Sequence, residues 1–153
     1  SACVLNRSRH KLIIDTLNRL KVKINFITDG DIAGALSVIG ENPKNDIYLG
    51  TGGGPEGVIT AAALSCYGGQ IQGRLILNKN EIIRAKKLGI TDLKKKYNLE
   101  DMVKGDTIFC ATGVTDSEIA KGIVVSNDKF EVNTLVLHRS QDIKKKITNI
   151  YKK

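Results

Sequence analysis

The segment IYLGTGGGPEGVITAAALSCY occupies residues 47–67 and joins three patterns in a row. Ile47, Tyr48 and Leu49 have the composition of a short strand, and residues 58–67 have the alanine-rich composition of a helix that the next two glycines end. A strand followed closely by a helix is the repeating unit of α/β proteins. The segment therefore predicts an α/β fold in which a glycine-rich loop follows a strand.

The loop holds five glycines within the eight residues from Gly50 to Gly57. Such a density is typical of a backbone that turns tightly or lets a ligand approach, and the amides at the start of the next helix favour anions. Three of the glycines satisfy G-x-G-x-x-G, but Pro55 removes an amide and Glu56 brings a negative charge to the place of a pyrophosphate. No Gly-Lys-Ser/Thr follows, so we expect a phosphate site that is neither a dinucleotide site nor a P-loop.

Glu56 allows two interpretations. A carboxylate suits a phosphate-binding loop if a divalent cation lies between the two and accepts an oxygen from each. A glutamate in the first turn of a helix is also favoured by the helix dipole without any ligand. The residues alone leave both open.

A pair of aspartates follows the strand predicted at residues 22–27. In an extended segment Asp29 and Asp31 project to the same side, so both could accept hydrogen bonds from sugar hydroxyls or bind a metal. Ligands gather at the carboxyl ends of strands in open α/β sheets, where this pair and the glycine loop would both lie. The alternative is a solvent-exposed turn in which Asp31 caps the following helix.

A basic cluster, Arg7, Ser8, Arg9 and His10, follows the strand-like residues 3–5. Guanidinium groups suit phosphate because they donate two parallel hydrogen bonds, although taken alone the cluster is also typical of a solvated surface. His138 lies in a strand pattern without a second ligand at metal spacing, and we assign it no role.

The rest of the chain continues the alternation of helices and strands. We expect a layered α/β domain over residues 1–153 with a mixed sheet, antiparallel near the C-terminus. The patterns predict helices at 7–20, 32–39 and 80–87, strands at 71–77 and 107–111, and a hairpin of 122–126 with 131–138.

Composition narrows the function classes. The 153 residues carry a net charge of +8, much of it in runs such as Lys94 to Lys96 and Lys144 to Lys146, which are typical of solvated helix faces and tails. Aromatic residues make up 5% and none interleaves with these lysines, so a nucleic-acid partner is not expected. No apolar run suits a membrane span, which favours the cytoplasm.

Three widely spaced cysteines indicate free, partly buried thiols. A start at Ser1 directly before strand-like residues is typical of a cut or processed chain.

Taken together and in this order, five segments resemble the class II fructose-1,6-bisphosphatases. They are Arg7 to His10, Thr28 to Asp31, Gly50 to Gly57 with Ala61 to Leu64, Gly68 to Leu75, and Ala111 to Asp116. The resemblance implies hydrolysis of the 1-phosphate of fructose 1,6-bisphosphate to fructose 6-phosphate, with Mn²⁺ or Mg²⁺, in gluconeogenesis or glycerol metabolism. Sedoheptulose 1,7-bisphosphate is a further substrate of some members.

The resemblance also implies roles for single residues. Glu56 is similar to a metal ligand and Gly53 to a backbone contact of the substrate. The remaining substrate contacts are those of the basic triplet and the aspartate motif: Arg7, Ser8, Arg9, Asp29, Gly30 and Asp31. Members of the family are about twice as long, and their other metal ligands and water-activating groups lie in an N-terminal half. The expected partners are therefore the sugar bisphosphate and this N-terminal half, and a homo-oligomer is left open. No catalytic residue is expected in this chain.

Three departures from the family pattern are visible. Ser8 stands where proline is common, Ser117 stands where glycine is common, and the C-terminal hairpin is divergent. Because half of the enzyme is absent, we expect this chain alone to be inactive. The alternative is a stand-alone sugar-phosphate-binding or regulatory module without catalysis.

Overall fold

The computed structural model describes residues 1–40 and 42–153, and these residues form nine strands and five α-helices. The strands are β1 (Ala2–Leu5), β2 (Ile24–Ile27), β3 (Ile47–Tyr48), β4 (Gln72–Gly73), β5 (Tyr97–Asn98), β6 (Ile108–Thr112), β7 (Val124–Val125), β8 (Lys129–His138) and β9 (Ile143–Lys152). The helices are α1 (Lys11–Arg19), α2 (Asp31–Leu36), α3 (Gly54–Ser65), α4 (Lys79–Lys87) and α5 (Leu99–Met102), with a 3-10 turn at Ser8–His10.

The strands form three sheets. In the parallel sheet the order is β2-β1-β3, so β1 lies in the centre. β4 and β5 form a small antiparallel ribbon. In the antiparallel sheet the long strand β8 pairs along its whole length with β9, while β6 and β7 share its other side.

Helices cover both faces of the parallel sheet. Ala2 and Val4 point to one face of β1 and pack against Leu17 of α1. On the other face α2 approaches closely at Gly34, where an added Cβ would lie 2.6 Å from Ile27 of β2 and 2.7 Å from a ring carbon of Tyr48 of β3. The central strand is therefore buried throughout, as is usual for a parallel sheet between helices.

The middle helices join the two larger sheets. α2 and α3 contact each other, and α3 packs on the antiparallel sheet. The core at this contact consists of Ala63, Cys66, Phe109, Leu135 and Leu137. The layers therefore run in the order α1, parallel sheet, α2 with α3, antiparallel sheet.

The predicted α/β class is confirmed, and the antiparallel portion near the C-terminus is present as a separate sheet. The predicted hairpin corresponds to β7 and β8. The strand predicted at residues 71–77 is limited to Gln72–Gly73. The interpretation of the lysine run 144–146 as a helix face or tail was wrong, because these residues lie in β9.

α3 begins within the glycine run at Gly54, four residues before the predicted start at Val58. Pro55 explains this start, because its fixed φ suits the first turn and its missing amide leaves no donor unpaired there. Among the described residues, no helix is both long and apolar enough to span a membrane. The three cysteines are free, with Cys3 and Cys66 buried and Cys110 exposed.

Candidate functional site

Each strand of the parallel sheet leads into one of the predicted motifs. β1 ends at Leu5 and leads into the basic cluster, β2 ends at Ile27 and leads into the Asp-Gly-Asp turn, and β3 ends at Tyr48 and leads into the glycine loop. Parallel strands place their carboxyl ends on the same edge of the sheet. Because β1 is central, the basic cluster lies between the other two motifs.

The basic cluster holds the glycine loop through Thr51. The Nε of Arg9 donates a hydrogen bond to the Thr51 carbonyl oxygen at 2.6 Å. The Thr51 amide donates to Nε2 of His10 at 2.9 Å, while Nδ1 of His10 lies 2.9 Å from the Leu5 carbonyl oxygen. The carbonyl oxygen needs a donor and the Thr51 amide needs an acceptor, so these partners favour the tautomer that carries its proton on Nδ1. His10 is fully buried, so the side chain that holds the loop makes no contact with solvent.

The glycine loop also lies against the aspartate motif. The hydroxyl of Tyr48 donates to Oδ1 of Asp31, and a Cβ added at Gly52 would lie 3.1 Å from Oδ2 of the same carboxylate. Burial of the Tyr48 ring raises the pKa of its hydroxyl well above the ordinary value, and the hydrogen bond to Asp31 adds to this shift. Asp31 is therefore held at the loop by a neutral phenol.

The side chains of Asp29 and Asp31 do not project to the same side, as they would in an extended segment. Gly30 between them has φ of 87° and ψ of 73°, a left-handed conformation that turns the chain into α2. Asp29 is almost fully exposed and lies 3.9 Å from Arg7, whereas Asp31 contacts Tyr48. The capping alternative for Asp31 was also wrong, because Gly30 is the N-cap and Asp31 is the first residue of the helix.

Gly53 and Glu56 lie together at the start of α3. Gly53 is the N-cap, and a Cβ at this position would collide with the Glu56 carboxylate, which bends back over the loop. Glu56 is exposed, and no side chain of the described residues caps this helix. The amides of Gly54 and Glu56 in the first turn thus face the same edge as Arg9, which gives an arrangement suited to an anion.

An open cavity of about 700 Å³ adjoins the aspartate motif. Asp29 and Thr28 line it on one side, and Asp116, Ser117 and Glu118 line it on the other. Asp116, the last residue of the segment 111–116 that the family resemblance includes, therefore lies across the cavity from the motif that follows β2. A volume of this size is within the usual range for a small-molecule site.

The donor set of this chain fits a divalent cation only in part. Among the described residues, no group of three or more His, Cys, Asp or Glu side chains lies close enough to hold a metal ion. Mg²⁺ and Mn²⁺ prefer about six oxygen ligands, and Glu56 offers one carboxylate. These residues therefore do not complete a metal site by themselves.

A second polar cluster joins Asp106, His138 and Ser140 near one end of the antiparallel sheet. Nε2 of His138 lies 2.7 Å from Oδ2 of Asp106 and 3.2 Å from Oγ of Ser140, which also donates to Oδ2 at 2.7 Å. These bonds, with Ser140 making the largest contribution, hold the pKa of Asp106 well below its usual range. A nucleophile and its orienting acid need opposite nitrogens of the histidine ring, and here both contact one nitrogen. The cluster joins the turn before β9 to the start of β6.

The sequence did not predict three features of this site. They are the hydrogen bond of Tyr48 to Asp31, the role of His10 in holding Thr51, and the position of Asp116 at the cavity. Tyr48 had the pattern of a strand residue and His10 that of a surface cation, because neither burial nor a partner 41 residues away is visible in a local pattern. The one available signal was the position of Tyr48 two residues before the glycine run.

The fold and this edge define a layered α/β protein whose candidate site is formed by the loops that follow three parallel strands. The chain belongs to the family described as bacterial fructose-1,6-bisphosphatase, glpX-encoded, whose model matches residues 1–151. It is 32% identical to the fructose-1,6-bisphosphatase class 2 of Haemophilus influenzae over 97% of this chain and 49% of that protein. It is 34% identical to a D-fructose 1,6-bisphosphatase class 2/sedoheptulose 1,7-bisphosphatase of Synechococcus sp. strain JA-2-3B'a(2-13), over 88% of this chain and 43% of that protein. The chain thus spans about half the length of the curated relatives it matches.

Proposed function

We propose that this chain is the C-terminal, substrate-binding part of a fructose-1,6-bisphosphatase that hydrolyses the 1-phosphate of fructose 1,6-bisphosphate to fructose 6-phosphate and phosphate. The main support is that three motifs distant in the sequence meet at one edge, held by Arg9 and His10 on Thr51 and by Asp31 against Gly52. The names of the relatives support the same reaction class. We place the enzyme in the cytoplasm, in gluconeogenesis or glycerol metabolism, with sedoheptulose 1,7-bisphosphate as a second substrate to test.

The substrate is held by charge and by backbone amides. Arg7, Ser8 and Arg9 contact a phosphate, and the Gly53 backbone contacts the ligand at the start of α3. Asp29, Gly30 and Asp31 accept hydrogen bonds from the sugar hydroxyls. Binding of the phosphate that does not react fixes the position of the one that does, which lowers the entropic part of the barrier.

Glu56 contributes one ligand to a site for Mn²⁺ or Mg²⁺. The N-terminal half supplies the remaining ligands and the group that activates water. When bound, such an ion would supply positive charge that polarises a phosphoryl group and lowers the pKa of the attacking water. Since one carboxylate is too few for such a site, catalysis requires both halves.

The direct test is phosphate release from fructose 1,6-bisphosphate by the purified chain, by the chain with the N-terminal half, and by the same complex carrying Glu56→Gln. We expect no release above background from the chain alone, turnover by the complex, and a loss of activity in the variant that high Mn²⁺ partly restores. Metal-dependent turnover by the chain alone would contradict the proposal that catalysis requires both halves. Full activity of the Glu56→Gln complex would contradict the role of Glu56 as a metal ligand.

Arg9→Ala and Arg7→Ala in the complex test the substrate contacts. Loss of a charge-assisted hydrogen bond removes roughly 1.5–3 kcal/mol, which corresponds to an increase in KM of about tenfold or more. An unchanged kcat/KM in Arg9→Ala would remove Arg9 from the site. If the complex binds fructose 1,6-bisphosphate in calorimetry and still releases no phosphate, the chain is a sugar-phosphate-binding module.

A further inference from the structure

In the described part of the chain, only one face of the antiparallel sheet is covered by a helix. The inner face packs on α3 through Phe109, Leu135 and Leu137. The residues that alternate with these point the other way and form the outer face, which the registers of β6, β7, β8 and β9 define. Its members are Ile108, Cys110, Thr112, Val125, Phe130, Val132, Thr134, Val136, His138, Ile143, Lys145, Ile147, Asn149 and Tyr151.

The outer face has the composition of a buried surface. Lys145 is its single formally charged residue, and it contains no carboxylate. Phe130 and Tyr151 stack on it with ring centroids 5.2 Å apart. In a sheet with one solvated face the polar residues normally lie on that face, whereas here the face that no helix covers is mostly apolar.

The pattern of β9 leads to the same conclusion. Its lysines Lys144, Lys146 and Lys152 lie on the side opposite to the outer face, while Ile147 and Tyr151 lie on the outer face and are 40% and 48% exposed. If water covered the outer face in the working protein, the lysines would be expected on that side. The strand thus has its apolar side on the outer face.

The surface area of the chain supports a large missing contact. Its accessible surface is 10618 Å² at a mass of 16.7 kDa, whereas a folded monomer of this mass exposes about 7,600 Å². The surplus of about 3,000 Å² exceeds the roughly 800 Å² that one partner contributes to a standard interface. β8 and β9 with the two shorter strands beside them give the outer face a footprint of roughly 500 Å².

We propose that the outer face is the surface on which the N-terminal half of the enzyme docks, through an apolar face of its own. The inference rests on the proposed function, because it takes that half as the occupant. The matched relatives are about twice as long as this chain, so they carry enough additional sequence for a further layer. A second copy is the less suitable occupant, since it would bring another chain of net charge +8 against the first.

Cys110 provides a reporter on the outer face, in the edge strand β6. It is exposed, and it lies opposite Val136 in the register of β6 and β8. Cys3 and Cys66 are buried, and burial raises the pKa of both thiols, so a maleimide reacts first with Cys110. We expect Cys110 to be labelled at least tenfold more slowly in the complex with the N-terminal half than in the chain alone.

Ile147→Lys and Ile150→Lys form a matched pair for the binding measurement. The two residues lie on the same exposed strand, but Ile147 belongs to the outer face and Ile150, which is 61% exposed, lies on the opposite side. In sedimentation velocity we expect Ile147→Lys to weaken binding of the N-terminal half at least tenfold and Ile150→Lys to leave it within twofold. A charge on the outer face would have to be desolvated without a partner.

Several results would overturn the docking surface. They are equal binding by the two lysine variants, an unchanged labelling rate of Cys110 in a formed complex, or failure of the wild-type chain to bind the N-terminal half. Dimers of the chain alone that Ile147→Lys disperses would assign the face to a second copy. Phosphate release by the same samples separates the docking surface from the proposed function. If Ile147→Lys weakens the complex but the wild-type complex releases no phosphate, the proposed function is contradicted and the docking surface is not.

Discussion

Replacement of His10 by phenylalanine tests how the basic cluster holds the glycine loop. The exchange keeps an aromatic ring in a fully buried position, where the somewhat larger phenyl ring adds a packing cost of its own. It removes the acceptor of the Thr51 amide and the group that pairs with the Leu5 carbonyl oxygen. Arg9 still donates to the Thr51 carbonyl oxygen, so the loop keeps one of its two anchors.

The size of the effect follows from the partners that remain. The Leu5 carbonyl oxygen also accepts the Arg7 amide at 2.8 Å and is not left without a donor. The Thr51 amide loses its acceptor, and an unsatisfied buried donor costs about 1–3 kcal/mol. Thr51 is only half-buried, so water reaches it in part and we expect a loss of about 1–2 kcal/mol.

Urea unfolding followed by far-UV circular dichroism measures this loss, and hydrogen exchange locates it. In His10→Phe the Thr51 amide should exchange faster than in the wild type, while amides of the antiparallel sheet keep their relative protection. His10→Gln is the matched variant, because its side-chain oxygen reaches towards the position of Nε2 and can accept the amide. Unchanged stability in His10→Phe, or equal losses in both variants, would refute the hydrogen bond as the anchor.

Three further predictions concern other positions. Tyr48→Phe removes the donor of Asp31, so stability should fall by about 1–2 kcal/mol, and the last tyrosine to ionise should vanish from an alkaline absorbance titration. Asp106→Asn should lower the melting temperature most at neutral pH. Because the folded pKa is depressed, the difference is fully present above about pH 4 and is lost progressively as the pH falls from there through the folded pKa. Gly122→Ala should destabilise the chain by about 1–3 kcal/mol in urea, because its Cβ would lie 2.8 Å from neighbouring backbone atoms, whereas Gly57→Ala has free space in a helix and should stabilise by up to about 1 kcal/mol.

Local signals predicted the elements where the pattern was strong and failed where tertiary contacts decide. The helix predicted at residues 80–87 corresponds to α4, which Asn78 and Glu81 begin with a capping box. β9 was missed because Lys144 to Lys146 resemble a solvated tail, and its strand conformation depends on pairing with β8. The strand predicted at 71–77 was too long because only two of its residues find a partner, in β5.

The sequence also could not order the three motifs in space. The basic cluster comes first along the chain, whereas the strand order β2-β1-β3 places it between the other two motifs. Because of this position, Arg7 and Arg9 contact different neighbours. Arg7 lies 3.9 Å from Asp29 with both side chains exposed, a pair that holds little energy and exchanges readily for a phosphate. Arg9 is fixed through its Nε on Thr51, so its terminal nitrogens keep their direction for a second, bidentate partner. An anion at this edge would therefore meet one arginine that Thr51 already orients and one that must first leave an aspartate.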